Sequence, residues 1–201
     1  MRYLRFNVKG KFACFSNPVH KASRVTYDIP TPSALIGIAE SIYWHPGVVY
    51  KVNKFSVLKP IRKWTTTFNE LKFKPIAIKK PSQFDKKTIG IESNRTQRQT
   101  TMLTDVEYAI ELSVESENEA KAVGIAERRI KNKRVFRTPY LGMRELIASV
   151  SEYDDSGAID VSHDFGMMLH HIDYVNRVPV FYHSTMENGT VNVSDDMIIT
   201  V

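Results

Sequence analysis

Two amphipathic helices set among alternating strands, in the order strand, helix, strand, strand, helix, strand, predict an α+β fold of ferredoxin-like topology. RNA-recognition modules share this topology. Three features carry the prediction. The helix at 31–43 has both a start and a stop signal, the strand at 106–114 places Val106, Tyr108, Ile110, Leu112 and Val114 at alternate positions, and a second helix at 118–132 follows it directly.

Leu4, Phe6 and Val8 alternate with polar neighbours and define a first strand, continued or bulged through 12–15. Thr31 then offers a side-chain oxygen to the free amides of a turn that Pro32 opens, and Leu35, Ile38, Ala39 and Ile42 recur on one face. The helix runs out at Tyr43, Trp44 and His45, because Pro46-Gly47 forbids continuation. A phenol, an indole and an imidazole are therefore presented at the end of a buried helix. Residues 48–58 form a second strand, with Tyr50, Val52, Phe55 and Val57 among its apolar positions.

Residues 59–104 are weakly patterned and rich in Lys, Thr, Asn and Pro, including Lys72, Lys74, Lys79, Lys80, Lys86 and Lys87. A long basic insertion inside a compact domain is either functional or disordered, and this one is expected to act as a thumb. Val106, Tyr108, Ile110, Leu112 and Val114 give the clearest strand. The second helix buries Ala122, Ile125, Ala126 and Ile130 and ends among Lys131, Lys133 and Arg134, where positive charge suits a helix C-terminus. A strand at 146–150 completes the set. Further strands are expected at about 165–175, 178–185 and 190–193, the last two joined by the turn signal Asn188-Gly189. The chain thus divides into a domain over 1–150, with its insertion at about 59–104, and a small antiparallel β region over 151–201.

A chain of 201 residues, 42% of them hydrophobic, can bury a sizeable core. No apolar stretch approaches the roughly 20 residues that span a bilayer, and MRYLRFNVKG lacks the apolar core of a secretory signal, so no membrane partner and a cytoplasmic location are expected. Cys14 is the only cysteine, which excludes an internal disulfide, and its setting among Phe12, Ala13 and Phe15 predicts a buried strand residue. Residues 1–149 hold 27 Lys and Arg against 13 Asp and Glu, a net of +14, whereas residues 150–201 set Arg177 alone against nine acids, a net of −8. The basic body suits a polyanionic partner, although an ordinary solvated surface gives the same count.

Arg95, Arg98, Arg128, Arg129, Arg134, Arg137 and Arg144 lie in stretches that also hold Asn94, Gln97, Thr100 and Tyr140. Arginine matches phosphate with paired donors, and the amide and phenol side chains can bond to or stack on bases. Six histidines raise the question of metal. Adjacent His170 and His171 would point to opposite faces of a strand, and no HExxH or carboxylate-spaced set exists, so no metal site and no cofactor are expected. No G-x-S-x-G elbow, P-loop or dinucleotide fingerprint occurs.

Chemistry without metal stays open, because RNA supplies its own nucleophile, the 2′-hydroxyl. It needs a base, a charge stabiliser for the phosphorane and an acid for the leaving oxygen. Tyr43 and Lys121 could form such a pair if the two helices pack side by side. From spacing alone the signal is weak, since a tyrosine ending a helix is more often a core residue.

Four stretches carry a resemblance to a known family. They are FACFSNPVHKASRVTYDIPTPSALIGIAESIYWHP, NRTQRQTTMLTDVEYAIE, RVFRTPYLGMRE, and FGMMLHHIDY with ENG after it. Together they resemble the CRISPR-associated proteins of the Cas-five family, subtype I-C (Dvulg). The resemblance implies a repeat-associated ferredoxin-like fold with an added C-terminal β region. It also implies an endoribonuclease that cuts precursor CRISPR RNA at the repeat hairpin without metal and leaves a 2′,3′-cyclic phosphate. Such a protein stays on the 5′ handle as a Cascade subunit, with repeat RNA and the other subtype I-C subunits as partners. The family's site is a tyrosine ending the first helix and a Lys-His pair on the second. Tyr43 matches the tyrosine and Lys121 the lysine, but Ala122 stands where the histidine belongs. His45 is one candidate substitute. His20 and Lys21, on the loop before the helix, are others, and with Arg24 they join the arginines above as RNA-binding candidates. The vacancy also leaves open a scaffold that binds the handle without cutting it.

Overall fold

The computed structural model describes residues 2–20, 23–71, 95–194 and 198–199. Lys21, Asn94 and the lysines expected at 72–87 lie outside these residues. In chain order the elements are β1 (Arg2–Ala13), β2 (Arg24–Val25), α1 (Pro32–Ile42), β3 (Val49–Val57), β4 (Lys63–Leu71), β5 (Arg95–Glu115), α2 (Glu119–Lys131), β6 (Ser149–Ser151), β7 (His163–Asp173), β8 (Val178–Glu187), β9 (Thr190–Asn192) and β10 (Ile198–Ile199). The described residues form a mostly antiparallel sheet carrying two helices.

The strands run in the order β10-β8-β9-β3-β5-β1-β6, with β2 and β4 attached to β5 and β7 attached to β8. The alternation of β1 sets the central register, with Leu4 opposite Leu112, Phe6 opposite Ile110 and Val8 opposite Tyr108. All six are buried in one core with Leu35, Ile38, Ala39 and Ile42 of α1 and Ala122, Val123, Ala126 and Ile130 of α2. Thr31 caps α1 by accepting from the Ala34 amide at 3.4 Å, and Asn118 caps α2 by accepting from the Lys121 amide at 3.0 Å. Lys54, Phe55 and Ser56 of β3 pair with β9, so the C-terminal strands extend the central sheet. Asn188 and Gly189 both have positive φ, 47° and 77°, as the hairpin between β8 and β9 requires. No described helix is long and apolar enough to cross a membrane.

Besides α2, which buries Val123 where the sequence predicts Ile125 and leaves Ile125 half-buried, two features depart from expectation. The ends of the insertion are regular: β4 pairs with β5 from Lys63 opposite Leu103 to Leu71 opposite Arg95, so β5 is 21 residues long. The sequence hid this because Thr65, Thr66 and Thr67 suit a strand while giving no contrast between a wet and a dry face. The second is at His170 and His171, where a register shift between Leu169 and His171 breaks the alternation. Their Nδ1 atoms stand 2.8 Å apart instead of facing opposite ways.

Cys14 is buried, and burial raises its thiol pKa, as a core cysteine requires. Its amide donates to the Leu141 carbonyl at 3.0 Å, which draws the 140–147 loop against β1. Gly142 sits in that loop at φ 84°, and a Cβ there would collide with the Cys14 carbonyl. Gly142→Ala should therefore destabilise the fold by about 2 kcal/mol or more, read as a lower denaturant midpoint at unchanged slope. An unchanged midpoint would show that the loop relaxes freely.

Candidate active site

Helix α1 stops because Tyr43 adopts extended backbone, φ −144° and ψ 120°, while its amide still reaches the Ala39 carbonyl at 3.0 Å. Three carbonyls at this end find a donor from elsewhere in the chain. The Arg137 amide donates to Ser41 at 2.9 Å, Arg129 Nη1 donates to Ile42 at 2.7 Å, and the Tyr50 hydroxyl donates to Tyr43 at 2.7 Å. Burial, together with the nearby Tyr43 and Glu40, pushes the Tyr50 hydroxyl well above the ordinary tyrosine range, so it remains a neutral donor. Trp44 stacks on Phe136, with centroids 6.3 Å apart. Strand β3, helix α2 and the loop after α2 thus hold the segment that carries Tyr43.

Tyr43, His45, Pro46 and Gly47 face Ser116, Glu117, Asn118, Lys121 and Ala122 across a cleft of about 270 Å³. Tyr43 is half-buried, while His45 and Lys121 are exposed. His45 Nδ1 lies 2.7 Å from the Pro46 carbonyl. A carbonyl only accepts, so the neutral ring carries its proton on Nδ1 and its lone pair on Nε2. Ala122 is buried in the cleft wall and offers only a methyl group. Sequence reasoning missed Ser116, whose Oγ is buried without a partner among the described residues. Nothing in its local sequence pattern marks it.

A second hollow, of about 570 Å³, is lined by Arg128, Arg129, Asn132, Arg134 and Val135. Arg129 connects the two, since its Cζ lies 5.2 Å from the centroid of the Tyr43 ring. Arg137 reaches over Phe136 at 5.7 Å. The end of α1, helix α2 and the loop after it therefore carry Tyr43, His45, Lys121, Arg128, Arg129, Arg134 and Arg137.

The remaining candidates stand elsewhere. Arg24 and Arg98 share the carboxylate of Glu70, at 3.0 and 3.3 Å, at the β4–β5 hairpin. One acid thus offsets half of the charge these two arginines present, a compensation that sequence spacing does not reveal. Arg24 Nη1 also lies 3.8 Å from Met143 Sδ, next to the exposed Arg144. Arg95 is exposed at the start of β5, and His20 is exposed on the loop before β2. Among the described residues no three His, Cys, Asp or Glu side chains gather to hold a metal ion. The His183–Asp164 contact at 3.1 Å, like that between His170 and His171, is a pair.

Residues 3–194 match the sequence family described as CRISPR-associated protein (Cas_Cas5). The protein named CRISPR pre-crRNA endoribonuclease Cas5d from Mannheimia succiniciproducens is 35% identical over a 211-residue alignment that covers 94% of each chain. Its namesake from Thermus thermophilus is 30% identical, covering 96% of this chain and 92% of its own. A crystal structure of a CRISPR-associated protein shares the fold at a TM-score of 0.70 and 24% identity, covering 99% of this chain and 97% of that one. A functionally uncharacterized protein from Streptococcus mutans shares it at 0.66 and 23%, with the same coverage.

Proposed function

The chain belongs to the CRISPR-associated Cas5 family, and from that premise we propose that it is an endoribonuclease that cuts precursor CRISPR RNA at the repeat hairpin. The observation that carries this reading is the single cleft that holds Tyr43, His45 and Lys121 beside an arginine-lined groove. The proposed reaction is attack of a ribose 2′-hydroxyl on the adjacent phosphate. The P–O5′ bond breaks as the P–O2′ bond forms, giving a 2′,3′-cyclic phosphate and a free 5′-hydroxyl. One group removes the 2′ proton and another protonates O5′, and Tyr43 and His45 divide these two transfers. The Lys121 ammonium faces the charge that gathers on the phosphorane. No step needs a metal or a cofactor.

We assign the RNA backbone to Arg128, Arg129, Arg134 and Arg137 along α2 and its following loop. His20, Lys21, Arg24, Arg95, Arg98 and Arg144 would take a second stretch of the same RNA strand. The surplus of +14 over residues 1–149 supports retention of the cut 5′ handle within a Cascade assembly. The domain reading is likewise ours: a ferredoxin-like unit over 1–150 and an appended β region over 151–201. The order β3-β5-β1-β6, with α1 between β1 and β3 and α2 between β5 and β6, supports the first part.

Ala122 favours a second reading, a handle-binding scaffold that does not cut. Incubation with the protein's own repeat RNA in EDTA separates the two. The endonuclease reading expects one cut below the hairpin and a cyclic phosphate end. Tight binding with no product supports the scaffold, and cleavage that appears only on adding a divalent ion would sink the mechanism.

A further inference from the structure

Arg129 stands where the cleft and the arginine groove meet. Its Nη1 donates to the Ile42 carbonyl at 2.7 Å, its Cζ lies 5.2 Å from the Tyr43 ring centroid, and it lines the groove with Arg128 and Arg134. On α2 it follows Ala122 by seven residues, two turns along the same stripe of the helix. One side chain therefore grips the last carbonyl of α1 and covers the face of the phenol that comes next. A planar guanidinium can do both, donating in its plane while presenting a cationic face to a ring. A lysine ammonium is a point charge that has to choose.

We infer that Arg129 is a positioning residue for Tyr43, an inference that rests on the endoribonuclease reading above. It fixes the phenol at the cleft end of the groove, so that RNA phosphates held there are delivered to a ring already aimed. The cation also faces the negative charge that develops on that ring as its proton leaves. A groove arginine that only binds phosphate would act on affinity. A positioning arginine acts on the rate with RNA already bound.

Arg129→Lys keeps the charge and removes the fork, and Arg129→Gln keeps a donor and removes the charge. In single-turnover cleavage at saturating repeat RNA, Arg129→Lys should slow cutting by about 10- to 100-fold while RNA affinity stays within about threefold. In a Tyr43→Phe background the same substitution should cost no further rate, because the group it aims is already gone. A wild-type rate at saturation, or an equal additional loss in that background, overturns the inference. An independent readout needs no RNA. In protein labelled with 3-fluorotyrosine, the ¹⁹F resonance that Tyr43→Phe deletes should move in Arg129→Gln at an unchanged melting temperature. An unmoved resonance overturns the positioning role. If the wild type fails to cut, the nuclease reading falls while this resonance still decides where Arg129 acts.

Discussion

Tyr43→Phe should cut the repeat RNA about 10²- to 10⁴-fold more slowly than the wild type while binding it with unchanged affinity. The substitution removes one oxygen and its proton and leaves everything that places the ring. Arg129 still has an aromatic face to cover, and the Tyr50 hydroxyl still donates to the main-chain carbonyl at position 43. The arginine groove is untouched, so the electrostatic part of RNA binding should persist. A loss of this size corresponds to about 3–5 kcal/mol of transition-state stabilisation, which is more than one ordinary hydrogen bond supplies. Single-turnover rates measured beside a binding isotherm make the comparison. Cutting by Tyr43→Phe at the wild-type rate would remove the phenol from the chemistry, and the same result for Lys121→Ala would move the site elsewhere.

The cleft owes its legibility to short-range signals. Thr31, Pro32 and the Pro46-Gly47 stop fix both ends of α1 locally, so Tyr43 is presented at a terminus whatever the remainder of the chain does. Asn118 fixes the start of α2 in the same way and puts Lys121 in its first turn. What brings the two termini together is long-range. Helix α2 reaches α1 through Arg129 and Ile42, 87 residues apart in sequence, and no local pattern marks such a pair. The β4–β5 hairpin was illegible for another reason. Its threonines and glutamines are polar on both faces, so a period of two has nothing to modulate. The displaced pairing at His171 is a defect of registration between β7 and β8, and it becomes visible only when both strands are laid side by side. The shared pairing of Arg24 and Arg98 with Glu70 is of the same kind, since it depends on β2 and β4 flanking β5.

His45→Gln should slow cleavage by about a hundredfold or more, because it removes the imidazole that lines the cleft with Tyr43 and Lys121. The hydrogen bond from Nδ1 to the Pro46 carbonyl gives this histidine a defined tautomer, with the Nε2 lone pair free to take a proton. A glutamine amide can form a similar hydrogen bond to that carbonyl, so the turn at Pro46-Gly47 should survive while proton transfer is lost. Ala122→His places an imidazole on the opposite wall. Position 122 adjoins Lys121 and lines the same cleft of about 270 Å³, which gives an imidazole introduced there access to the same phosphate. If one imidazole is what the reaction needs, Ala122→His should restore at least a tenth of the wild-type rate to His45→Gln and change the wild type little. Should His45→Gln cut normally while Ala122→His accelerates the wild type, His45 is a bystander and the native cleft works one proton donor short. Should both variants cut at the native rate, neither wall supplies an imidazole, and Tyr43 and Lys121 must carry the proton transfers between them.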